Sequence, residues 1–179
     1  MLYFIRHGQT DWNLERKIQG ITDIPLNETG IRQAQEASAQ ISKLKWDRII
    51  SSPLLRARQT AEILNQNIGL LIETDERLCE FDLGDLEGQP LSHLTPSVWQ
   101  MLGEEPEKLN AEGLKTAYDR IASFMRETSP EPDTLVIMHS GLFKIISYYR
   151  QYPDGFDYNR FAPTYRDLWI PITTLIPME

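Results

Sequence analysis

Of the three histidines in the chain, His7, His93 and His139, two share a setting. The apolar run Leu2 to Ile5 leads into Arg6-His7-Gly8, and Thr134 to Met138 leads into His139-Ser140-Gly141. A lone histidine at a strand end is ordinarily a residue held by backbone hydrogen bonds. The company of His7 argues for more. Arg6 adds a fixed cation, Gly8 lets the backbone pass close to a ligand, and Thr10 and Asn13 add polar groups to the same loop. A neutral imidazole attacks phosphorus when a carbonyl holds one ring nitrogen as N–H and leaves the other free.

Arg56 falls in the first turns of a helix, where an arginine is usually solvated. Its guanidinium fork, however, matches phosphate oxygens two at a time. A transferring phosphoryl group spreads charge over three equatorial oxygens, so catalysis is mostly placement of charge. Arg6, Arg56 and His139 fit that demand, and the N–H groups of Ser140 and Gly141 at a helix start suit an anion. A departing alkoxide also needs a proton, which a carboxyl group desolvated beside an anion can supply. Glu80 is the candidate, but Asp75, Glu76, Asp82, Asp85 and Glu87 stand close by, and pattern does not choose among them.

Other hydrolytic chemistries fit less well. A cysteine phosphatase needs an arginine six residues after its nucleophile, and the residue six past Cys79 is Asp85. The spacing in Asp82-Leu83-Gly84-Asp85 is wrong for an aspartyl-phosphate enzyme. No close-spaced pair among His7, His93 and His139 suits zinc.

These residues need strands and helices to bring them together. Leu2 to Ile5, Asp47 to Ser51 and Thr134 to Met138 read as buried strands, with Leu71 to Thr74 a brief fourth. Asn27 can cap a helix from Glu28 to Leu44 with Ile31, Ala34, Ala37, Ile41 and Leu44 as its apolar stripe. Ser52-Pro53 reads as the start of the next helix, with Ser52 as cap. Asp75 to Pro90 is a long loop, and such loops are usually functional. A short helix is expected around Val98 to Leu102. Leu114 to Met125 and Leu142 to Arg150 are helical, and Phe161 to Pro177 suits edge strands or extended coil. Alternating strands and helices predict an α/β three-layer sandwich with a mostly parallel sheet. The 179 residues read as a single domain, with about 81–113 an insertion covering the site. Ligands bind at the carboxyl ends of such strands, where the polar triplets fall.

The motifs together resemble the histidine phosphatase superfamily, the phosphoglycerate mutase-like fold. Arg6-His7-Gly8-Gln9-Thr10-Asp11-Trp12-Asn13 resembles its signature. Gln19-Gly20, Asp23 to Gly30, Ser51 to Ala61, Leu78 to Gly88 and Met138 to Gly141 are similar to its later blocks, in order across residues 1–145. The resemblance implies that His7 is the phosphorylated nucleophile. Arg6, Arg56 and His139 hold the phosphoryl oxygens, Asn13 sits beside the transferred group, and Glu80 is the acid and then the base for water. It implies neither metal nor organic cofactor. The short-chain branch includes α-ribazole phosphatases and broad-specificity phosphatases, an analogy for the substrate. Two departures stand out. Ala111-Glu112-Gly113 replaces the family's Gly-Glu-Ser, with Arg120 at the expected later position, and Ala162-Pro163-Thr164-Tyr165-Arg166 lacks an expected asparagine turn.

A formal charge of −8 repels nucleic acid and anionic membrane, so the expected partners are a small-molecule phosphate monoester and its product, inorganic phosphate. A single cysteine and no apolar stretch approaching about 20 residues suggest a cytoplasmic enzyme. Against phosphatase stand two readings: a phosphoglycerate mutase and a non-catalytic phospho-ligand-binding module. A mutase needs extra basic groups for its substrate's carboxylate, and residues 88–113 offer only Lys108 and His93 among four glutamates. That favours hydrolysis. Retention of both His7 and Glu80 disfavours the binding module. Trp12, Phe81, Trp99 and Met101 could form an apolar wall, or Trp99 and Met101 could simply be core.

Overall fold

In the computed structural model, which describes residues 1–129, 131–165, 168 and 170–178, two parallel strands sit side by side in mid-sheet. These are β1 (Leu2–Arg6) and β4 (Thr134–Met138), with Arg6 level with Met138. Their side chains alternate across the sheet, the strand period of two. Leu2, Phe4, Val136 and Met138 enter one core, while Ile5, Leu135 and Ile137 enter the other. Both faces are therefore covered, as the unbroken apolar runs predict.

Between β1 and the next strand lie α1 (Asp11–Leu14) and α2 (Glu28–Ile41). Then come β2 (Arg48–Ser51), α3 (Leu55–Asn65), β3 (Ile72–Thr74), α4 (Pro96–Glu104) and α5 (Leu114–Glu127). After β4 the chain forms α6 (Ser140–Gln151), α7 (Tyr158–Tyr165) and β5 (Leu175–Met178). The sheet order is β3-β2-β4-β1-β5, with every described pairing parallel except β1 with β5. Helices α2 and α3 cover one face, and α4 to α7 the other. This is the expected α/β sandwich with a mostly parallel sheet.

Three local expectations are corrected. Helix α2 ends at Ile41, and Ile31 and Leu44 are 38% and 50% exposed. Its buried stripe is Gly30, Ala34, Ala37, Ser38 and Ile41, and all but the last are small, which lets the helix lie close to α3. The Asn27 cap forms as expected, accepting from Gly30 N at 2.9 Å. Ser52 does not cap α3, which begins at Leu55; Asp23 reaches across to accept the Leu55 amide at 2.6 Å. The helix expected around Val98 to Leu102 does form, running from Pro96 to Glu104 with Thr95 as its cap. Finally, Phe161 lies fully buried in α7 beside Tyr148 and Phe156, and among the described residues of this stretch only β5 provides the expected edge strand. Arg166 lies outside the described residues.

Candidate active site

The parallel ladder continues one residue beyond the strands. His7 N donates to Met138 O at 3.1 Å and Ser52 N to Ile137 O at 3.0 Å, so the ends of β1, β4 and β2 deliver His7, His139 and Ser52 to one place. The two imidazoles meet with centroids 5.1 Å apart. Nδ1 of His7 lies 2.7 Å from the carbonyl oxygen of Gly8, which holds that nitrogen as N–H and leaves Nε2 with the free lone pair. His139 Nε2 lies 2.8 Å from Ser52 Oγ, while its buried Nδ1 has no protein partner.

Two guanidinium groups are buried beside the rings, Arg6 at 4% and Arg56 at 1% exposure. Arg6 Nη1 donates to Ile170 O at 3.0 Å. Arg56 donates to Thr22 O at 2.9 Å and Gly20 O at 2.7 Å, and its Nε is buried without a protein acceptor. Burial pushes the Arg6 pKa down to about 10 and lowers that of Arg56, with the charge of Glu80 opposing the shift in both. Both remain cations at neutral pH. Burial, reinforced by the charges of Arg56 and Arg6, holds both imidazoles well below the usual histidine range. The site is thus a pair of imidazoles held neutral among fixed cations, with buried ring and guanidinium nitrogens that lack a protein partner, an arrangement suited to an anion.

The remaining candidates fall around this centre. Asn13 lines the cleft; its Oδ1 is taken by Thr10 N at 3.1 Å and Thr10 Oγ1 at 3.2 Å, which turns its amide nitrogen away from Thr10. Of the six carboxyl groups from Asp75 to Glu87, Glu80 alone lines the cleft. The others have structural tasks or face away. Asp75 pairs with Arg77, Asp82 accepts from Gly84 N, Asp85 accepts from Asn110, Glu87 accepts from Ile21 N and Thr22 N, and Glu76 is exposed. Ser140 and Gly141 line the cleft at the start of α6. The Gly141 amide, however, donates to Glu80 Oε2 at 2.8 Å, so the chain's own carboxylate takes the position that sequence reasoning reserved for phosphate.

Glycine at position 8 also meets a need inside the chain. A Cβ there would lie 2.5 Å from Gly30 O, so the backbone passes close to the first turn of α2. The loop is tied down by Gly8 N donating to Thr60 Oγ1 at 3.1 Å.

The cleft has a volume of about 500 Å³. Phe81, Leu83, Leu91, Leu94 and Trp99 bring one wall from the covering segment, while Trp12 and Met101 are not part of it. Trp99 is also core, 6% exposed and packed near Phe161, so both of its readings hold. Sequence reasoning missed three basic residues in the wall: Arg16, Lys17 and Lys144. Lys144 donates to Leu168 O at 2.5 Å and lies over the Trp99 ring. All three lie outside residues 88–113, where the sequence offers only Lys108 and His93. The sequence does place Ser51-Ser52 at the same sheet edge as His7 and His139, but not the contact of Ser52 Oγ with His139. Among the described residues no group of three or more His, Cys, Asp or Glu is placed to hold a metal ion, and no helix is long and apolar enough to cross a membrane.

Residues 2–162 match the family described as histidine phosphatase superfamily (branch 1). The chain is 40% identical over 140 residues to the uncharacterized phosphatase PhoE of Bacillus subtilis, covering 75% of this chain and 69% of that protein. It is 46% identical over 99 residues to probable phosphoglycerate mutases GpmB of Yersinia, covering 55% of this chain and 46% of theirs, so it matches about half the length of those relatives. Among solved structures it is similar to a mycobacterial glucosyl-3-phosphoglycerate phosphatase complexed with VO3, with a TM-score of 0.81, 26% identity and coverage of 97% and 90% of the two chains. A phosphoglycerate mutase from Thermus thermophilus superposes with a TM-score of 0.68 at 30% identity, covering 81% of each chain.

Proposed function

The chain belongs to the histidine phosphatase superfamily, and from that premise we propose that it hydrolyses a small-molecule phosphate monoester through a phosphohistidine on His7. The observation that carries this reading is the His7 Nδ1 contact to Gly8 O at 2.7 Å beside two buried arginines. Nε2 attacks phosphorus in line and the ester P–O bond breaks. Glu80, acting as the acid, gives a proton to the leaving oxygen. Arg6, Arg56 and His139 hold the equatorial oxygens, with Asn13 and Ser140 beside them. Glu80 then takes a proton from water as its oxygen attacks phosphorus. The N–P bond breaks, releasing inorganic phosphate and a neutral His7. Gly141 N–H becomes available to the phosphoryl group only when Glu80 leaves it.

The test is rapid quench with a labelled monoester. A histidine-bound label that forms and decays at the turnover rate, with release of phosphate and the unrearranged alcohol, supports the reading. Turnover with no such label sinks it. Its proposed setting is the cytoplasm, where the lone Cys79 stays reduced.

Arg16, Lys17 and Lys144 remove the argument that the cover leaves no room for a second anionic anchor. They favour an alcohol part that carries an acidic group of its own, lying along the apolar wall of Phe81 and Trp99. They also keep phosphoglycerate mutase as a second reading. Net conversion of 3- to 2-phosphoglycerate would replace hydrolysis with that activity.

A further inference from the structure

The proton donor rests on a stretch without regular structure. Residues 79–83 belong to no helix or strand, so no ladder of backbone hydrogen bonds fixes the main chain that bears Glu80. Arg120, on α5, makes up for this. Its Nη1 donates to Arg77 O at 2.5 Å and its Nη2 to Glu80 O at 3.3 Å. The same guanidinium is locked by Glu112, with Nε to Oε1 at 2.7 Å and Nη2 to Oε2 at 3.0 Å. Glu112 in turn donates its own amide to Asp82 O at 2.7 Å. Two carbonyls, at positions 77 and 80, therefore accept from the Arg120 guanidinium, and a third, at 82, accepts from the main chain of its ion-pair partner; the two paired side chains are only 18% and 14% exposed. Arg120 does not line the cleft, so it touches no substrate.

We propose that Arg120, locked by Glu112, is a positioning residue that holds the acid loop so that Glu80 reaches the leaving oxygen. The inference rests on the reading of Glu80 as the proton donor. An arginine is required because its donors form a planar fork that can grip a carboxylate along one edge and two carbonyls with the rest. Lysine keeps the charge and loses that geometry. A neighbour that only stabilised the fold would slow all substrates alike. A residue that aims the donor acts where the leaving group needs a proton.

The test is kcat/KM, which reports steps up to leaving-group departure, across monoesters from dinitrophenyl phosphate to an alkyl phosphate. It compares wild type, Glu80→Gln, Arg120→Lys, Glu112→Gln and the Glu80→Gln/Arg120→Lys double variant, with Tm followed for each. Arg120→Lys should lose about tenfold or more beyond its dinitrophenyl loss on the alkyl ester, since misplaced catalytic groups cost factors of this order. Glu112→Gln should shift in the same direction by less and serves if Arg120→Lys does not fold. The double variant should be no steeper in leaving-group dependence than Glu80→Gln. Equal losses across the series in the Arg120 and Glu112 variants, with Glu80→Gln steep, overturn the positioning role alone. A flat Glu80→Gln series overturns the donor reading and this inference with it.

Discussion

The Gly141 amide donates to Glu80 Oε2 at 2.8 Å, and the next amide, Leu142, donates to Oε1 at 3.0 Å. The first turn of α6 thus holds a carboxylate of the chain itself, where the helix dipole favours negative charge. A Cβ at position 141 would lie 2.5 Å from Oε1 and 2.9 Å from the Phe81 ring. Gly141→Ala should push the Glu80 side chain from its seat. We expect kcat/KM for an alkyl phosphate to fall on the order of 10²-fold, while competitive inhibition by inorganic phosphate changes little. Steady-state kinetics with phosphate as inhibitor checks this, and an unchanged kcat/KM would refute it.

His7→Ala removes the proposed nucleophile without touching Arg6 or Arg56. Turnover should fall on the order of 10³-fold or more, and no labelled phosphoenzyme should form. Binding of inorganic phosphate should persist, because the buried cations remain. A variant that turns over at the wild-type rate would mean that the nucleophile lies elsewhere.

The two buried histidines make stability depend on pH. In the folded protein burial, with Arg56 next in effect, holds both well below the ordinary value of 6.5. As pH falls below about 6.5 the unfolded chain gains protons at these rings and the folded chain does not, so unfolding is favoured. The contribution is fully present above that pH and is lost below it, by up to about 1.4 kcal/mol per pH unit for each ring. Urea midpoints from pH 7.5 to pH 5 should fall less steeply in His139→Asn than in wild type. Activity should keep its neutral nucleophile in the same range, placing the acid limb of kcat/KM below 6.5. An acid limb assigned to His7 at or above 6.5 would contradict the burial argument.

Glu87 holds the loop that holds Arg56. Its carboxylate accepts from Ile21 N at 2.9 Å, Thr22 N at 2.8 Å, Leu83 N at 3.1 Å and the Thr22 hydroxyl, while Gly20 O and Thr22 O hold the Arg56 guanidinium. Hydrogen bonds to a charged group are worth about 1.5–3 kcal/mol each. Glu87→Gln weakens several at once and should loosen the clamp. We expect the inhibition constant for inorganic phosphate to rise about tenfold, with a smaller change in kcat. Calorimetric titration with phosphate checks the first, and equal affinity in the two proteins would show that Arg56 is held without Glu87.

Much of the fold could be read from apolar runs. Leu2 to Ile5 and Thr134 to Met138 are unbroken because both faces of a central parallel strand are buried, and that property belongs to the segment itself. The Asn27 cap was legible for the same local reason. Ser52 was misread because its partner, His139, is 87 residues away and a Ser-Pro pair looks like a helix start wherever it occurs. The outward turn of Ile31 depended on how closely α2 could approach α3, which no helical period records.

By itself the sequence determined the chemistry on offer: an Arg-His-Gly triplet after a strand, a second histidine after another, an arginine on a helix and an acidic loop. These were readable because each motif is contiguous and its residue types suit phosphoryl transfer. Only the tertiary structure decided which of six carboxyl groups faces the cleft, that Gly141 gives its amide to Glu80, and that Arg16, Lys17 and Lys144 enter the wall. Those outcomes depend on side-chain direction and on segments as far apart in the chain as Arg16 and Lys144 meeting at one sheet edge. Their contacts are made by packing, and pattern along the chain does not contain them.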